Sequence, residues 1–572
     1  MIPLRPGVPG LALVLGSLFG TEPLQTLAYL GPVLAAAAGL AGAALLETAL
    51  GPATRRAAAG ILLVGAFAGY LAAGWLGNLA LTALFLAGLA ALAIAPRSWR
   101  AVVAGAGLLS AAGLAHAPFL FAALAILAGV VVLHVPEIVA ELRQGRGAWN
   151  TMAVRLTVAG TAGAAGTAAG FALLAPMPVR AITSQDALLR RIGLGDTLAS
   201  WRLDRLLVDG RRALVPFAAA GWLAATARRR PDAEAEPAAG RAGRRYFWSV
   251  CGSWAAVTVV GIVVLAVTGR GQANRFLPFA FFVPLAAAVG LHRLLVGAAS
   301  TRTRKIAALA AGAAIVLSGL YAWVDRPPYV EERELVAARA AARSVAHLPP
   351  GTPLVFVVDT AEDAAGFHVV RFSNVIRMEL PPERIRDLRI AVARPTDYLE
   401  GRAATIGDLE HDRISQATVA ETANLVARGA VLVIQPFNVP GFGEAVAVGT
   451  VVGPDVVSLR GGRPTGDGGP VDERPGLGPG PLVLLSVASL TVLWILGAGW
   501  ARWALPGAGA MAMACAAPSA GLAVTVLGAV AADRIGFAVG GPAGSAATIA
   551  LGVLGYAAAG LGARTRGLDS LT

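Results

Sequence analysis

The sequence predicts a polytopic α-helical membrane protein of about 12–13 transmembrane helices, with an inserted extracytoplasmic α/β domain. Three observations predict this fold. The 572 residues are 56% hydrophobic and only 14% charged, with a mean hydropathy of +0.67, which is too apolar for a soluble protein of this length. Apolar runs of membrane-spanning length recur along the chain. Between residues 324 and 460, charged residues become frequent and the apolar runs shrink to strand length.

The positions of the charges predict the topology. The formal net charge is +13, and the arginines fall in short links between apolar runs, where they orient helices; we therefore expect no nucleic-acid partner. Alternate links are basic, and short basic links stay in the cytoplasm. The basic links among the first spans carry Arg55, Arg56, Arg97, Arg100, Arg143, Arg146 and Arg155. The links between them, and residues 324–481, are predicted to be extracytoplasmic.

The spans before residue 324 follow from the lengths of the apolar runs. A short run at Gly7–Gly20 is a marginal first helix. Runs of spanning length follow at Leu24–Leu50, Ala57–Gly77, Leu79–Ala95, Ala101–Ala117, Phe119–Leu142 and Met152–Ala175. Further spans are predicted at Ala213–Ala225, Phe247–Thr268, Phe276–Val289 and Ile306–Trp323. Between two of them, Pro176–Arg211 has apolar residues at helical spacing, which predicts a helix lying on the outer membrane surface.

The rest of the chain divides into three parts after the first region, residues 1–323. Residues 324–460 form the predicted α/β domain, with a helix at Glu331–Ala346, a helix at Ser415–Ala427 and buried strands at Pro353–Val358 and Ala430–Ile434. Residues 461–481 are a Pro/Gly linker. Residues 482–572 hold the last spans, predicted at Leu482–Gly499, Ala504–Ala531 and Phe537–Leu561, and a short cytoplasmic tail.

The stretch from Arg270 to Arg293 is the strongest candidate for a binding site. Its apolar run is headed by Arg270, Asn274 and Arg275 and followed by basic residues, so Arg275 is expected on the outer face just above the hydrocarbon. A planar guanidinium at that depth can bind the phosphate of an isoprenoid lipid bidentately. The alternative is that Arg275 only anchors its helix at the interface.

This stretch and two shorter ones resemble parts of a known protein family. Asn274–Leu285 (NRFLPFAFFVPL), with Gly77-Asn78-Leu79 and Leu114–Pro118 (LAHAP), resembles the outer helix ends of bacterial GT-C glycosyltransferases. The resemblance covers about Leu24 to Trp323. It implies a protein of cell-envelope glycan assembly in the bacterial plasma membrane. Its donor would be a polyprenyl-phosphate sugar and its acceptor an extracytoplasmic glycan or lipid.

The same resemblance implies roles for individual residues. Arg275, with Arg270 and Asn274 as neighbours, would bind the donor phosphate. A carboxylate of the first external loop would act as the base. Here that loop is only Thr21-Glu22-Pro23, so Glu22 is the candidate base, with a helix-capping carboxylate as its alternative. Apart from the resemblance, the predicted place of His116 on the outer side beside Pro118 would let it contact phosphate or a sugar hydroxyl. A capping histidine is likewise the alternative for His116.

Asp186 is a second candidate base. It lies in the predicted outer surface segment with other aspartates, where it could meet an acceptor hydroxyl or a divalent metal. The alternative is a solvated, self-paired surface helix, because arginines alternate with these aspartates. The two cysteines, Cys251 and Cys515, lie in apolar runs and predict neither a disulfide framework nor a metal site.

Three functions remain open from the sequence. The first is a glycosyltransferase that moves a sugar from a polyprenyl-phosphate donor. The second is a non-catalytic lipid-binding or scaffold protein of the same fold, which the short first external loop favours. The third is a transporter or flippase, which the nearly charge-free centres of the apolar runs disfavour.

Overall fold

The computed structural model describes the chain in segments: 7–72, 76–145, 147–172, 211–228, 238–268, 279–296, 301–324, 332–358, 380, 384, 387–392, 405–408, 413–415, 428–434, 442–464 and 477–569. Within these segments, eleven helices precede residue 325: α1 Gly7–Phe19, α2 Pro23–Leu50, α3 Thr54–Leu71, α4 Leu76–Leu92, α5 Trp99–Ala115, α6 Ala117–Arg143, α7 Met152–Ala172, α8 Arg211–Arg228, α9 Ala238–Thr268, α10 Phe282–Val296 and α11 Arg302–Val324. Five follow: α12 Glu332–Ser344, α13 Phe442–Val448, α14 Pro479–Ala504, α15 Ala510–Arg534 and α16 Pro542–Asp569.

Seven of these helices are long and apolar enough to cross a membrane. By length and composition they are the spanning parts of α2, α6, α9, α11, α14, α15 and α16. Four more, α1, α4, α5 and α10, are apolar but shorter. The prediction of a multi-pass helical membrane protein is confirmed at this level, because a single polypeptide with this many apolar helices buries them only against one another and lipid.

The helix bundle has two chemically different ends. One end, here called the basic end, carries Arg55 and Arg56 at the start of α3, Arg97 and Arg100 between α4 and α5, and Arg143 at the end of α6. The opposite end, the distal end, carries the start of α2 and the junction of α5 with α6. The antiparallel order of α2 to α6 puts these two sets of residues on opposite sides.

Arg155 connects several elements of the basic end through hydrogen bonds and a ring contact. Its guanidinium is buried, donates hydrogen bonds to the Ala95 carbonyl, to the Trp149 carbonyl (3.1 Å) and to Asn150 Oδ1 (2.6 Å), and stacks 4.4 Å above the Trp99 ring. One side chain therefore joins α7 to two short 3₁₀ turns, Ala95–Arg97 and Ala148–Asn150.

Helix α1 lies along the distal end instead of crossing the membrane. Gly7 packs so closely against Ala115, the last residue of α5, that an added Cβ would lie 2.8 Å from its Cα. At the other end of α1, Gly16 lies equally close to Thr21, just before α2. Both ends of α1 thus meet the distal end, and 13 residues rise only about 20 Å, short of the hydrocarbon core.

Several predicted helix boundaries are wrong: the helices expected from Phe537 and Phe247 begin at Pro542 and Ala238. Proline is the reason in two further cases. The helix expected from Phe276 begins at Phe282, and Phe279–Phe281 form a turn before it. Pro284 lies in the first turn of this helix, where the missing N–H of proline costs no hydrogen bond. The span expected from Ala504 begins at Ala510, because Pro506 and Gly507, at φ +82°, end the preceding helix.

All strands of the described residues fall between residues 354 and 460. They are β1 Leu354–Val358, β2 Leu388–Val392, β3 Thr405–Asp408, β4 Arg413–Ser415, β5 Ala430–Ile434, β6 Thr450–Gly453 and β7 Val456–Arg460. They form one sheet in the order β4-β3-β2-β1-β5-β7-β6, parallel at β1–β2 and β1–β5 and antiparallel elsewhere.

The two predicted strands are confirmed as β1 and β5, and the helix predicted at Glu331–Ala346 is confirmed as α12. Ser415 is the last residue of β4 and not the start of a helix; the rest of that predicted helix, residues 416–427, lies outside the described residues. The division of the chain into domains and the extracytoplasmic placement of this sheet stay predictions.

Arg155→Ala is expected to lower the free energy of unfolding by about 3 kcal/mol, because three acceptors, of which the Ala95 carbonyl is buried, lose a charged donor. Thermal unfolding in detergent measures this. Arg155→Lys should recover only part of the loss, since an ammonium lacks the planar fork. Equal stability of Arg155→Ala and wild type would contradict this role.

Candidate functional site

The structure describes two of the six predicted site residues. Glu22 and His116 lie at the distal end, at the start of α2 and between α5 and α6. Asp186, Arg270, Asn274 and Arg275 lie outside the described residues. The candidate site is therefore built from the described residues that surround His116 and the start of α10.

His116 caps α6. Its side chain is buried, and Nδ1 accepts a hydrogen bond from the Phe119 N–H at 3.3 Å. A neutral imidazole that accepts at Nδ1 carries its proton on Nε2, so Nε2–H is the group it can offer to another acceptor. The capping alternative for His116 describes its geometry, and it is compatible with a contact through Nε2.

An aromatic cluster begins beside His116. The cluster consists of Phe85, Phe119, Trp254 and Phe279. The His116 ring meets Phe119 edge to face at 4.9 Å, and Phe119 lies 5.2 Å from Phe279. Phe279 lies 5.1 Å from Trp254, which lies 5.2 Å from Phe85. All four rings are buried, three of them completely. Because Phe85, Phe119 and Trp254 belong to α4, α6 and α9, these three helices meet Phe279, just before α10, in one apolar contact.

A hydrogen bond fixes Phe279 in this cluster. The Trp254 indole N–H donates to the Phe279 carbonyl at 2.6 Å. That carbonyl lies before the first turn of α10, so α9 orients the entry to α10 directly. The segment with Arg270, Asn274 and Arg275 joins the described structure at this point.

Six buried side-chain polar atoms of the described residues have no hydrogen-bond partner, and three of them belong to this region: Asn78 Nδ2, Thr82 Oγ1 and Thr258 Oγ1. The other three are Arg384 Nε, Ser489 Oγ on α14 and Arg534 Nε on α15. The side chains of Asn78, Thr82 and Thr258 are 3%, 0% and 4% exposed. Asn78, Thr82 and Phe85 are spaced i, i+4, i+7, so they share one stripe of α4, and Thr258 follows Trp254 by one turn on α9. Since Phe85 and Trp254 touch, the three polar atoms lie on the stripes that face the cluster.

Their depth follows from the helix register. Thr82 and Thr258 each lie about one turn further toward the distal end than the touching pair Phe85 and Trp254. On the other side of α4, the close pairs Gly88–Leu108 and Leu92–Gly105 place Asn78 level with residues 115–118 of the His116 junction. The three polar side chains and His116 therefore lie between the aromatic cluster and the distal end.

The two threonines differ from six other helical threonines that the structure describes. Thr48, Thr157, Thr161, Thr167, Thr525 and Thr548 each donate to the carbonyl four residues earlier, at 2.9–3.0 Å. This bond is available to any helical threonine and satisfies the hydroxyl in an apolar medium. Thr82 and Thr258 do not make it, and an unsatisfied buried hydroxyl costs about 1–3 kcal/mol.

Glu22 is engaged in helix capping. It is the N-cap of α2, before Pro23, and its backbone N–H donates to Gln25 Oε1 at 3.2 Å as half of a capping box. This is the geometry of the capping alternative. Its role as a base stays a prediction, as does that of Asp186.

A divalent metal also stays a prediction. Within the described ranges, no three His, Cys, Asp or Glu side chains converge as a metal site would require. The acidic segment around Asp186 lies outside those ranges.

Sequence reasoning missed Thr82 and Thr258, and noted Asn78 only within a short resemblance. The available signal was weak: a single hydroxyl in an apolar run is common in membrane helices, since it bonds to its own backbone. Only the three-dimensional contacts distinguish these two threonines from the six threonines that donate to their own helix backbone.

Comparison with protein-family models, with curated proteins and with solved structures gives no match for this chain. The assignment of a function therefore depends on the residues and geometry of the chain itself.

Thr82→Val is expected to raise the free energy of unfolding by about 1 kcal/mol, because the isosteric valine removes an unsatisfied buried hydroxyl. Thermal unfolding in detergent measures this. The matched control is Thr525→Val on α15, where the buried hydroxyl donates to the Gly521 carbonyl and its loss should leave stability unchanged or lower. Equal destabilisation by both changes would show that Thr82 has a hydrogen-bond partner.

Proposed function

We propose that this protein binds a polyprenyl-phosphate sugar at its distal end and transfers the sugar to an extracytoplasmic glycan or lipid acceptor. The observation that carries the proposal is the set of unpartnered polar atoms on Asn78, Thr82 and Thr258, buried next to the aromatic cluster at which the Arg275 segment joins the structure. Buried polar groups are normally paired, so three orphaned ones in one place favour a polar ligand.

The proposed ligand matches both the charge and the polarity of this region. Arg275 precedes Phe279 by four residues, and four residues of chain span at most about 14 Å. A phosphate bound by Arg275 would thus lie near the polar side chains. Asn78 Nδ2 can donate to a phosphate or sugar oxygen, and each threonine hydroxyl can donate or accept.

The predicted orientation gives the distal end access to extracytoplasmic substrates. Several arginines lie at the basic end. Because short basic links remain in the cytoplasm, the distal end would face outward. The isoprenoid tail would extend into the membrane while its phosphate stays at the interface.

The transfer would be a direct displacement. The acceptor hydroxyl oxygen attacks the anomeric carbon as the bond from that carbon to the phosphate oxygen breaks. A carboxylate, Glu22 or Asp186, takes the hydroxyl proton, and Arg275 stabilises the departing phosphate, with Arg270 and Asn274 beside it. The products are the glycosylated acceptor and a polyprenyl phosphate.

Binding of a polyprenyl phosphate should weaken at least tenfold in Arg275→Ala and several-fold in Asn78→Leu, Thr82→Val and Thr258→Val. Native mass spectrometry of the purified full chain measures the retained lipid. The valine and leucine changes remove hydrogen-bonding groups without removing apolar surface, so weaker binding with undiminished thermal stability would identify ligand contacts. Thr548→Val on α16 is the control, since that hydroxyl donates to the Gly544 carbonyl.

Equal lipid retention by wild type and all four variants would overturn the binding proposal. Arg275 would then be an interfacial anchor. If binding is confirmed but folded membranes transfer no sugar from any polyprenyl donor, the enzymatic part would fail and the binding part would stand.

A second candidate function is a non-catalytic protein that binds the same lipid. The capping geometry of Glu22 favours it, because a carboxylate at a helix N-terminus is stabilised in its charged form there and has a structural role without catalysis. Turnover that is abolished by Glu22→Gln or Asp186→Asn, with the fold and lipid binding intact, would eliminate this candidate. Unchanged turnover in both variants would remove these carboxylates as the base.

A further inference from the structure

A cleft opens between α8, α9 and α10, away from the distal end. Its volume is about 470 Å³. It is lined by Ala224, Ala225, Arg244, Trp248, Cys251, Gly252, Ala255, Phe282, Ala286 and Arg293. Among these described lining residues, eight are apolar or small and two are arginines, so this part of the lining combines an apolar wall with positive charge.

The positive charge is concentrated at the basic end. Arg244 lies in the second turn of α9, and Arg293 lies in the last turn of α10. Arg55 and Arg56 of α3 lie close enough to act electrostatically on His292, beside Arg293. The mouth of the cleft at this end therefore has a positive potential, which attracts an anionic group.

The apolar wall runs along one stripe of α9. Arg244, Trp248, Gly252 and Ala255 are spaced by four, four and three residues, so they share one face of the helix. From Arg244 to Ala255 the helix rises about 16 Å, which is half the thickness of the hydrocarbon core and the depth of one leaflet. The stripe continues through the exposed side chains of Val259 and Val263, which is typical of a surface in contact with lipid.

The opposite wall comes from α10. Phe282, Ala286 and Arg293 share one stripe of that helix, again with the charge at the basic end and apolar groups beyond it. Between the walls, Gly252 faces open space: a Cβ built on it would have no heavy atom within 4 Å. The cleft is thus wide enough beside Gly252 for an additional chain.

We propose that this cleft binds an anionic phospholipid from the leaflet at the basic end. The phosphate binds at Arg244 and Arg293, and one acyl chain lies along the wall from Trp248 to Ala255. Arginine binds phosphate bidentately, and the amphipathic Trp248 ring suits the boundary between headgroup and acyl chain. This site is separate from the proposed sugar-donor site, and either can exist without the other.

The test is lipid binding by the purified, delipidated full chain in detergent, with phosphatidylglycerol and phosphatidylcholine added separately and retention read by native mass spectrometry. Wild type should bind phosphatidylglycerol at least tenfold more tightly than phosphatidylcholine. Arg244→Ala and Arg293→Ala should each remove most of that preference. Arg304→Ala is the matched control: Arg304 is exposed at the same end, on α11, and does not line the cleft.

A second variant tests the acyl-chain wall while keeping both arginines. Gly252→Leu fills the open space of the cleft and should weaken phosphatidylglycerol binding several-fold, with thermal stability preserved because its Cβ meets no neighbour. The matched control is Gly221→Leu on α8, whose Cβ also meets open space and which lies outside the cleft lining.

Three outcomes would overturn the proposal: equal binding of the two lipids, an equal effect of Arg304→Ala and the cleft arginines, or no effect of Gly252→Leu. Inorganic phosphate distinguishes the source of the anion. If it competes with phosphatidylglycerol and binding is indifferent to Gly252→Leu, the cleft is a site for free phosphate and the lipid assignment is wrong.

Discussion

Every buried polar group in this protein must find its partner inside the bundle, because neither lipid nor apolar side chains can hydrogen-bond it. Most of the structure follows this constraint. Six helical threonines donate to their own backbone, and the buried Glu47 carboxylate accepts from the Ala53 N–H at 2.9 Å at the start of α3. Arg155 satisfies the carbonyls of two short turns in the same way.

Three of the six exceptions among the described residues lie at the candidate site, and the other three, Arg384 Nε, Ser489 Oγ and Arg534 Nε, lie elsewhere in the structure. Asn78, Thr82 and Thr258 have no internal partner, although the two threonines could bond to their own helices at no cost in packing. They lie on the stripes of α4 and α9 that meet at the Phe85–Trp254 contact, next to the entry to α10.

Close helix contacts explain how a bundle with so much glycine holds together. An added Cβ at Gly497 or Gly521 would lie within 2 Å of a carbonyl oxygen of the facing helix, and Gly290 approaches the Leu223 carbonyl as closely. Without a Cβ the backbones can approach, and dispersion contacts replace the hydrophobic driving force that lipid removes. The contact at Gly290 also positions α8 against α10, the two helices that form the cleft together with α9.

The sequence by itself determined that the chain holds many apolar helices, including the seven long enough to span a membrane, and where β1, β5 and α12 lie, because hydropathy and short-range periodicity are local properties. Only the tertiary structure decided that α1 lies along the distal end, that α10 begins at Phe282, and that Thr82 and Thr258 lack partners. It also decided that Arg244 and Arg293, which lie on different helices, line one cleft. Each of these depends on contacts between residues far apart in the chain, and the physical reason is that neither the burial of a polar atom nor the satisfaction of its hydrogen bonds is a property of its own segment.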